Sequence, residues 1–497
     1  MQIILDPNSI ESYRTFLKIK RLPTYSIKGS MADFPDEYAS LIGAKKVRRQ
    51  RITYEPLDGL FDYQSAIAKL AIRKRKFAIF ADCGLGKTLI FLEFAKHVQK
   101  QLKRSGKRVL IISPLMVIEQ TINECNKFYG NDLPIEKVPA SGLQDWLDSS
   151  GPATGITNYD ALSDAITQGN LGGLILDESS MLKSHYGKWG TKCLELGVGL
   201  DWKLACTGTP APNDRIEFAN HAVFMDAYSS PNAFLASFFV NRGQTGERWE
   251  LKDHALEPFY RALSHWCIFL TNPATYGWTD NSEPLPPIHT HYHNVDLTSE
   301  QRAIIGKKTG ELFTTEMGGI TSRSVMGQIA KGHYKGKDIS TNKPDCIREL
   351  IHSWPEESTI VWCIYNNEQK RLAKELPEAE SIDGSTPHEK RQDIIRRFKS
   401  GELKTVISKP KILGFGLNLQ VATRQVFSGL QDSYELFYQA VKRSNRYGSS
   451  RPLNVHIPLT DVEEPMVANV MRKAKRVDID AEEQERIFNT YGHIDIR

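Results

Sequence analysis

Two short runs of the chain hold residue types that could act on a phosphate group. The first is ADCGLGKT at 81–88, which follows the apolar run FAIF and opens an amphipathic segment. Gly84 and Gly86, with Leu85 between them, let backbone amides turn toward an anion with no side chain in the way, and the start of the following helix adds a favourable dipole. In that strand, turn and helix context, Lys87 is predicted to reach the β- and γ-phosphates of a nucleotide and Thr88 to hold a magnesium ion. Position 81 is alanine where the general pattern of such loops has glycine. The second run is LILDESS at 174–180, an apolar strand ending in two acids. Paired acids at a strand end are commonly surface charge. Downstream of ADCGLGKT, however, Asp177 is placed to bind magnesium and Glu178 to orient and polarise an attacking water.

Such groups need a rigid frame, and the pattern around them supplies one. From Tyr63 onward, apolar runs alternate with amphipathic segments (FAIFA, LIFLEFAKHV, VLIIS, VIEQTINECNKF), followed by the strand candidates GITNY, GLILD and KLACTG. That alternation predicts an α/β fold, a parallel sheet with helical crossovers. It breaks after Pro212, where aromatics from Phe218 to Phe269 fall on helix-like spacing, and a joint, EPLPP, then leads into the strand candidate IHTHYHNVDL and a flexible Gly/Lys-rich stretch. The alternation returns at TIVWCIY and continues to LNVHIPL, with YELFYQAVKRSNRY expected as one helix. The expected organisation is an accessory domain at 1–55, a first lobe at 56–212, a helical extension and linker at 213–342, a second lobe at 343–460 and a helical tail at 461–497.

Composition narrows the class. A length of 497 residues with 40% hydrophobic and 25% charged residues suits two or three globular domains and argues against disorder or a fibrous repeat. Seven dispersed cysteines without a CxxC pair suit reduced thiols rather than a disulfide framework or zinc ribbon. The opening MQIILDPNSIESYRTF has no signal-peptide pattern and no apolar run is long enough to span a bilayer, so a cytoplasmic protein without a membrane partner is expected. Net charge is a mild +5, but basic clusters stand at Lys45, Lys46, Arg48, Arg49 and Arg51, at 73–76 and at 472–476. Each fits either a solvated face or a nucleic-acid contact.

Taken in order, ADCGLGKT, ISPLMVIEQ, ITNYDAL, LDESSMLKS, TGTPAPND, GFGLNLQ and QAVKRSNRYG resemble motifs I, Ia, Ib, II, III, V and VI of superfamily 2 helicases, nearest the Swi/Snf-type branch and in particular its bacteriophage-encoded forms. The likeness runs from about residue 60 to 460. It implies two tandem RecA-like lobes that bind ATP and magnesium between them and move on DNA. RNA is the less fitting track, and a monomer is expected, in a host cytoplasm if the chain is phage-encoded. The resemblance further implies that Gln64 reads the adenine edge, that Arg443 and Arg446, with Gln439 alongside, act as arginine fingers, and that Gly414 and Gly416 touch the nucleotide. It places Ser113, Pro114, Asn158, Tyr159, Thr209, Gly384, Ser385 and Asn418 on the nucleic-acid path, with Thr207, Gly208 and Pro210 in the coupling element and Gln420 in motif V. Ser180 stands where DEAH forms have histidine and Asn445 where the branch often has histidine, which puts the coupling of hydrolysis to DNA in question more than hydrolysis itself.

One further constellation offers different chemistry. His289, His291 and His293 alternate along a strand and could share a face, but no acid or cysteine follows at ligand spacing, so metal binding is not expected there. Three functions remain in view: a helicase that unwinds forked or branched DNA, a double-strand translocase that leaves the strands paired, and an ATP-dependent binding switch that hardly turns over.

Overall fold

Strands buried on both faces read as unbroken apolar runs, whereas strands with one wet face alternate. The runs FAIFA, VLIIS, GLILD and KLACT are of the first kind, and the computed structural model buries almost every residue in them. It describes residues 2–22, 25–34, 39–44, 53–183, 187–243, 248–279, 285–312, 320–413, 417–430, 433–446 and 449–491. The chain divides into two compact units, Met1–Asn281 with Asp478–Arg497, and Ser282–Val477.

The first unit begins with a small module: β1 (Gln2–Ile4), α1 (Ile10–Ile19), β2 (Ser26–Lys28) and β3 (Met31–Asp33), the strands antiparallel in the order β1-β3-β2. Its own core is Leu5, Ile19, Leu22, Ala32, Phe34 and Ile42. Next come α2 (Asp62–Lys74), β4 (Lys76–Ala81), α3 (Lys87–Leu102), β5 (Arg108–Ser113), β6 (Ile135–Lys137), β7 (Thr154–Asn158), β8 (Leu171–Asp177) and β9 (Trp202–Thr207). After two helices, α4 (Phe218–Phe224) and α5 (Pro231–Phe238), a hairpin of β10 (Phe239–Asn241) and β11 (Trp249–Leu251) leads through α6 (Leu256–Leu263) to β12 (Cys267–Leu270). Seven of these strands form one sheet, β12-β4-β9-β8-β5-β7-β6, with every pairing parallel.

Because successive side chains of a strand point to opposite faces, the sheet carries two cores. Phe77, Ile79, Ile111, Ile175 and Leu204 face one, packed by α2 and α3, while Phe80, Ile112, Leu174 and Ala205 face the other. The aromatics beyond Pro212 belong to that second core: Phe218, Phe234, Phe259, Trp266 and Phe269 pack on the sheet, mostly edge to face. The segment expected to be helical thus also contributes β12, a sheet-edge strand beside β4.

The second unit repeats the plan. β13 (Ile288–Asn294) is followed by helices Ser299–Leu312 and Ile320–Ala330, where the sequence suggested a flexible stretch, and by a small hairpin, β14 (His333–Tyr334) with β15 (Lys337–Asp338). Then come β16 (Thr359–Trp362), β17 (Glu380–Ser381), β18 (Thr405–Ser408), β19 (Arg424–Phe427), α7 (Tyr434–Val441) and β20 (Leu453–Leu459). The sheet order is β13-β20-β19-β16-β18-β17, again all parallel. A buried ionic cluster fastens its helices: Glu463 accepts from Lys331 Nζ and pairs with Lys343 Nζ, each at 2.6 Å. Two parallel-sheet lobes with helical crossovers are what the sequence pattern predicted.

Candidate nucleotide site

In a parallel sheet the carboxyl ends of all strands meet at one edge, so residues far apart in sequence become neighbours there. Strand register lines them up in the first unit: Phe80 beside Thr207, Cys206 beside Asp177, Leu176 beside Ile112, and Ser113 beside Asn158. The glycine turn after β4, the acids after β8, Thr207 at the end of β9 and Ser113 at the end of β5 therefore share one rim.

Local chemistry explains the turn. Gly84 and Gly86 have φ of +93° and +68°, a region open mainly to glycine. Gly86 precedes the first residue of α3, and no side chain caps that helix, so its leading amides are left facing the loop. Lys87 Nζ donates to Ala81 O at 2.8 Å and Asp82 O at 3.2 Å, folding its ammonium group back over the turn. Gln64 is buried against it: its Oε1 accepts from Phe61 N at 3.0 Å, and a Cβ on Gly86 would meet its Nε2 at 2.1 Å. Tyr63 fixes the other side, its hydroxyl donating to Leu85 O at 3.2 Å. Thr88, half-buried, occupies the first turn of α3.

The acids are held from several directions. Asp177 is buried and accepts from Ser113 Oγ at 2.8 Å, and its backbone oxygen accepts from the Tyr159 hydroxyl at 2.7 Å. Burial, with the Glu178 carboxylate second, pushes the Asp177 carboxyl up to about 7, against the pull of the Ser113 hydroxyl. Glu178 adopts a left-handed backbone, φ +51° and ψ +51°, and its Oε2 accepts from Thr207 Oγ1 at 3.2 Å. Thr209 N donates to the same Thr207 hydroxyl at 3.2 Å, while Thr209 Oγ1 is buried without a hydrogen-bond partner. Gly208 passes so close to the turn that a Cβ there would stand 3.3 Å from Ala81 O. Pro210 follows, buried.

The residues present fit a nucleotide with a hard cation. An uncapped helix start, a lysine and a glycine turn suit phosphate, and a threonine hydroxyl with a buried carboxylate offers the oxygen donors magnesium prefers. Among the described residues no cluster of three or more His, Cys, Asp or Glu forms a closed metal cage. Magnesium is commonly held by one or two protein oxygens plus water and phosphate, so none is required.

Several positions expected on a nucleic-acid path are differently occupied. Ser113, Pro114, Tyr159 and Thr209 are buried, and the Ser113 and Tyr159 hydroxyls serve Asp177 rather than solvent. The reason is their place at strand ends beside the acids. Asn158 is half-buried and caps the turn after β7, its Oδ1 accepting from Ala161 N at 2.8 Å. In the second unit Gly384 and Ser385 are exposed, Ser385 donating its hydroxyl to Asp383 at 2.7 Å, and Asn418 is exposed with its amide on Gln420 Oε1 at 2.8 Å. Gly414 and Gly416 lie outside the described residues, as do the basic positions 45–51. The second basic cluster is engaged structurally: Lys76 pairs with Asp226 at 2.7 Å, and the Arg75 guanidinium covers the Trp202 ring at 5.1 Å.

The expected helix YELFYQAVKRSNRY ends at Val441, so the arginines follow it in a turn. Arg443 is buried, its Nε donating to Gln439 O at 3.1 Å and its Nη1 to Leu417 O at 3.5 Å. Gln439 is buried beneath it, and Arg446 is half-buried, its carbonyl accepting from Gln420 Nε2 at 3.4 Å. Motifs V and VI thus form one hydrogen-bonded patch within the second unit. Asn445 donates to Pro286 O at 2.7 Å.

One contact had no signal in the sequence. Ser179, directly after the acids, meets His221 Nε2 of α4 at 3.0 Å in a fully buried pair. Burial lowers the His221 imidazole to about 4, so it is neutral near pH 7. Forty-two residues separate the two, and nothing in local spacing announces the pairing.

Comparison with known proteins supplies what geometry leaves open. Residues 68–342 match the model of the SNF2-related domain, and residues 342–448 match that of the helicase conserved C-terminal domain. The chain belongs to the SNF2-related family. No curated protein matches it. Among solved structures, the Sulfolobus solfataricus SWI2/SNF2 ATPase core in complex with dsDNA is similar at 21% identity, covering 88% of this chain and 96% of that one, with a TM-score of 0.39. For an SNF2-related chain, the two motif-bearing sheets are the expected tandem RecA-like core.

Proposed function

We propose that this SNF2-related chain is a DNA-stimulated ATPase that turns hydrolysis into movement along DNA. The observation that carries the reading is the shared rim: the turn holding Lys87 and Thr88, the Asp177–Glu178 pair and the Thr207 hydroxyl converge at the ends of three parallel strands. Lys87 would leave its two carbonyl contacts for the β- and γ-phosphates, and Gln64, walled behind Gly86, would read the adenine edge. Thr88 and Asp177 would hold magnesium, which supplies charge neutralisation to the phosphates. Glu178, oriented by Thr207, would position and polarise the attacking water. Arg443 and Arg446 would stabilise charge developing on the γ-phosphate, a role that suits a planar guanidinium. Ser113 and Tyr159 act in this reading as positioning residues for the acid.

Steady-state ATPase activity with and without DNA tests the reading, with Lys87→Ala as control. Stimulation by DNA that disappears in the variant is the expected result, and turnover persisting in it would remove the site assignment. Family membership favours a double-strand translocase over strand separation. Displacement of a triplex-forming strand without opening of a forked duplex is therefore expected, and efficient fork opening would favour the helicase alternative. A slow ATP-dependent binding switch predicts turnover that DNA leaves unchanged.

A further inference from the structure

The N-terminal module takes no part in the nucleotide site, yet its helix has two finished faces. Ile19 points into the module's core, while Ile10, Tyr13 and Leu17, spaced three and four apart and hence stacked on one face, are 75%, 60% and 42% exposed. Arg14, Lys18 and Arg21 border that stripe on one side and Lys20 on the other, all exposed. The helix's single acid, Glu11, sits in its first turn. Lys20 Nζ stands over the Phe16 and Tyr25 rings at 5.9 and 5.3 Å, so cation and aromatic surface are already interleaved.

Charge says what covers this face. From Ile10 to Arg21 the chain holds Arg14, Lys18, Lys20 and Arg21 against Glu11 alone, a local surplus of +3 gathered on the helix and the two residues after it, whereas residues 1–44 as a whole balance five Lys and Arg against five Asp and Glu. A protein partner would be served by the apolar stripe alone. An aromatic ring among arginines and lysines suits a polyanion with exposed ring faces: base–aromatic stacking tolerates any sequence, and guanidinium groups grip phosphate.

We infer that the outward face of α1 is a second nucleic-acid site, which takes a DNA strand carrying at least one unpaired base. Its phosphates lie on Arg14, Lys18, Lys20 and Arg21, and a base stacks on Tyr13. The site would direct the motor to junctions or strand ends. It adds to the proposed function and uses none of the residues of the nucleotide site.

Fluorescence anisotropy of the full chain, on a blunt duplex and on the same duplex with a single-stranded tail, tests this across a salt series. Tyr13→Ala is expected to weaken the tailed probe about tenfold and the blunt one less than about twofold. The triple change Arg14→Glu, Lys18→Glu, Arg21→Glu is expected to weaken both and to reduce the slope of log affinity against log salt by about two to three. DNA-saturated ATPase turnover should be unchanged in each, and the far-ultraviolet circular dichroism should match that of the parent. Unchanged affinities on both probes overturn the inference, as does an equal loss on both with Tyr13→Ala. A dimer in sedimentation velocity that Leu17→Asp dissolves assigns the face to a second copy and also overturns it. A parent chain that binds no DNA sinks both this inference and the motor reading, whereas DNA binding indifferent to the α1 variants sinks this one alone.

Discussion

The side-chain amide of Gln64 occupies the space that any Cβ on residue 86 would need, 2.1 Å from its ideal position. The residue expected to read the base and the glycine expected to cradle phosphate are thus one steric unit, although 22 positions separate them in sequence. Gly86→Ala must displace Gln64 and also hold alanine at φ +68°. Loss of nucleotide binding is expected, measured by titration with a fluorescent ATP analogue. Adding Gln64→Ala should relieve the overlap but not the backbone strain, so recovery should be partial. Wild-type affinity in Gly86→Ala would show that the turn is not the phosphate cradle.

Glu178 and Thr207 make a second testable pair. Glu178→Gln should leave ATP affinity near its original value and lower turnover by about a hundredfold or more. Thr207→Val removes the donor that holds the Glu178 carboxylate, and a smaller fall in kcat, about tenfold, with little change in KM is expected. If both variants instead raised KM with kcat intact, their role would be binding.

The buried contact between Ser179 and His221 links the acid-bearing turn to α4. His221→Ala opens a cavity and leaves Ser179 without this partner, so the melting temperature should fall. His221→Asn separates packing from coupling: it keeps a polar tip and part of the volume. Basal turnover near the parent's but weaker stimulation by DNA would identify the contact as part of the coupling path. A stability loss with unchanged stimulation would make it scaffold alone.

In the second unit, burial alone would raise the Glu463 carboxyl, but Lys331 and Lys343 hold it down to about 2 from its ordinary 4.5. A carboxyl depressed on folding contributes stability above its unfolded value and loses that contribution as pH falls through the folded one. The window is therefore pH 4.5 down to 2, and the contribution is on the order of 3 kcal/mol. Burial dominates at Lys343, bringing its ammonium down to about 8, which works against the cluster below that pH. Glu463→Gln leaves two buried lysines without their shared acid, so destabilisation by about 3–5 kcal/mol is expected in urea titrations. Its acid limb between pH 4.5 and 2 should be flatter than the parent's.

Much of this architecture is legible in the sequence. Unbroken apolar runs such as VLIIS and GLILD announced doubly covered parallel strands, and glycine spacing announced the turn. β12 was not legible, because Cys267–Leu270 is a short run inside aromatics whose spacing also fits helices. The end of α7 is hidden for a similar reason: KRSNR continues a helical pattern in text, while Arg443 turns away to bond Gln439 O and Leu417 O. Motif likeness marks Ser113 and Tyr159, and only strand register reveals that the hydroxyls of both serve Asp177. His221 was invisible, as a contact between distant segments leaves no periodic trace.

Glu178 sits at φ +51°, where a residue with a side chain loses roughly 1–2 kcal/mol relative to its relaxed backbone. In the role proposed for Glu178, resistance to heat and the capacity for turnover pull on this position in opposite senses. Glycine there would let the lobe melt later and leave it inert, and a thermal shift assay on Glu178→Gly would show a catalyst kept slightly fragile at the spot where it acts.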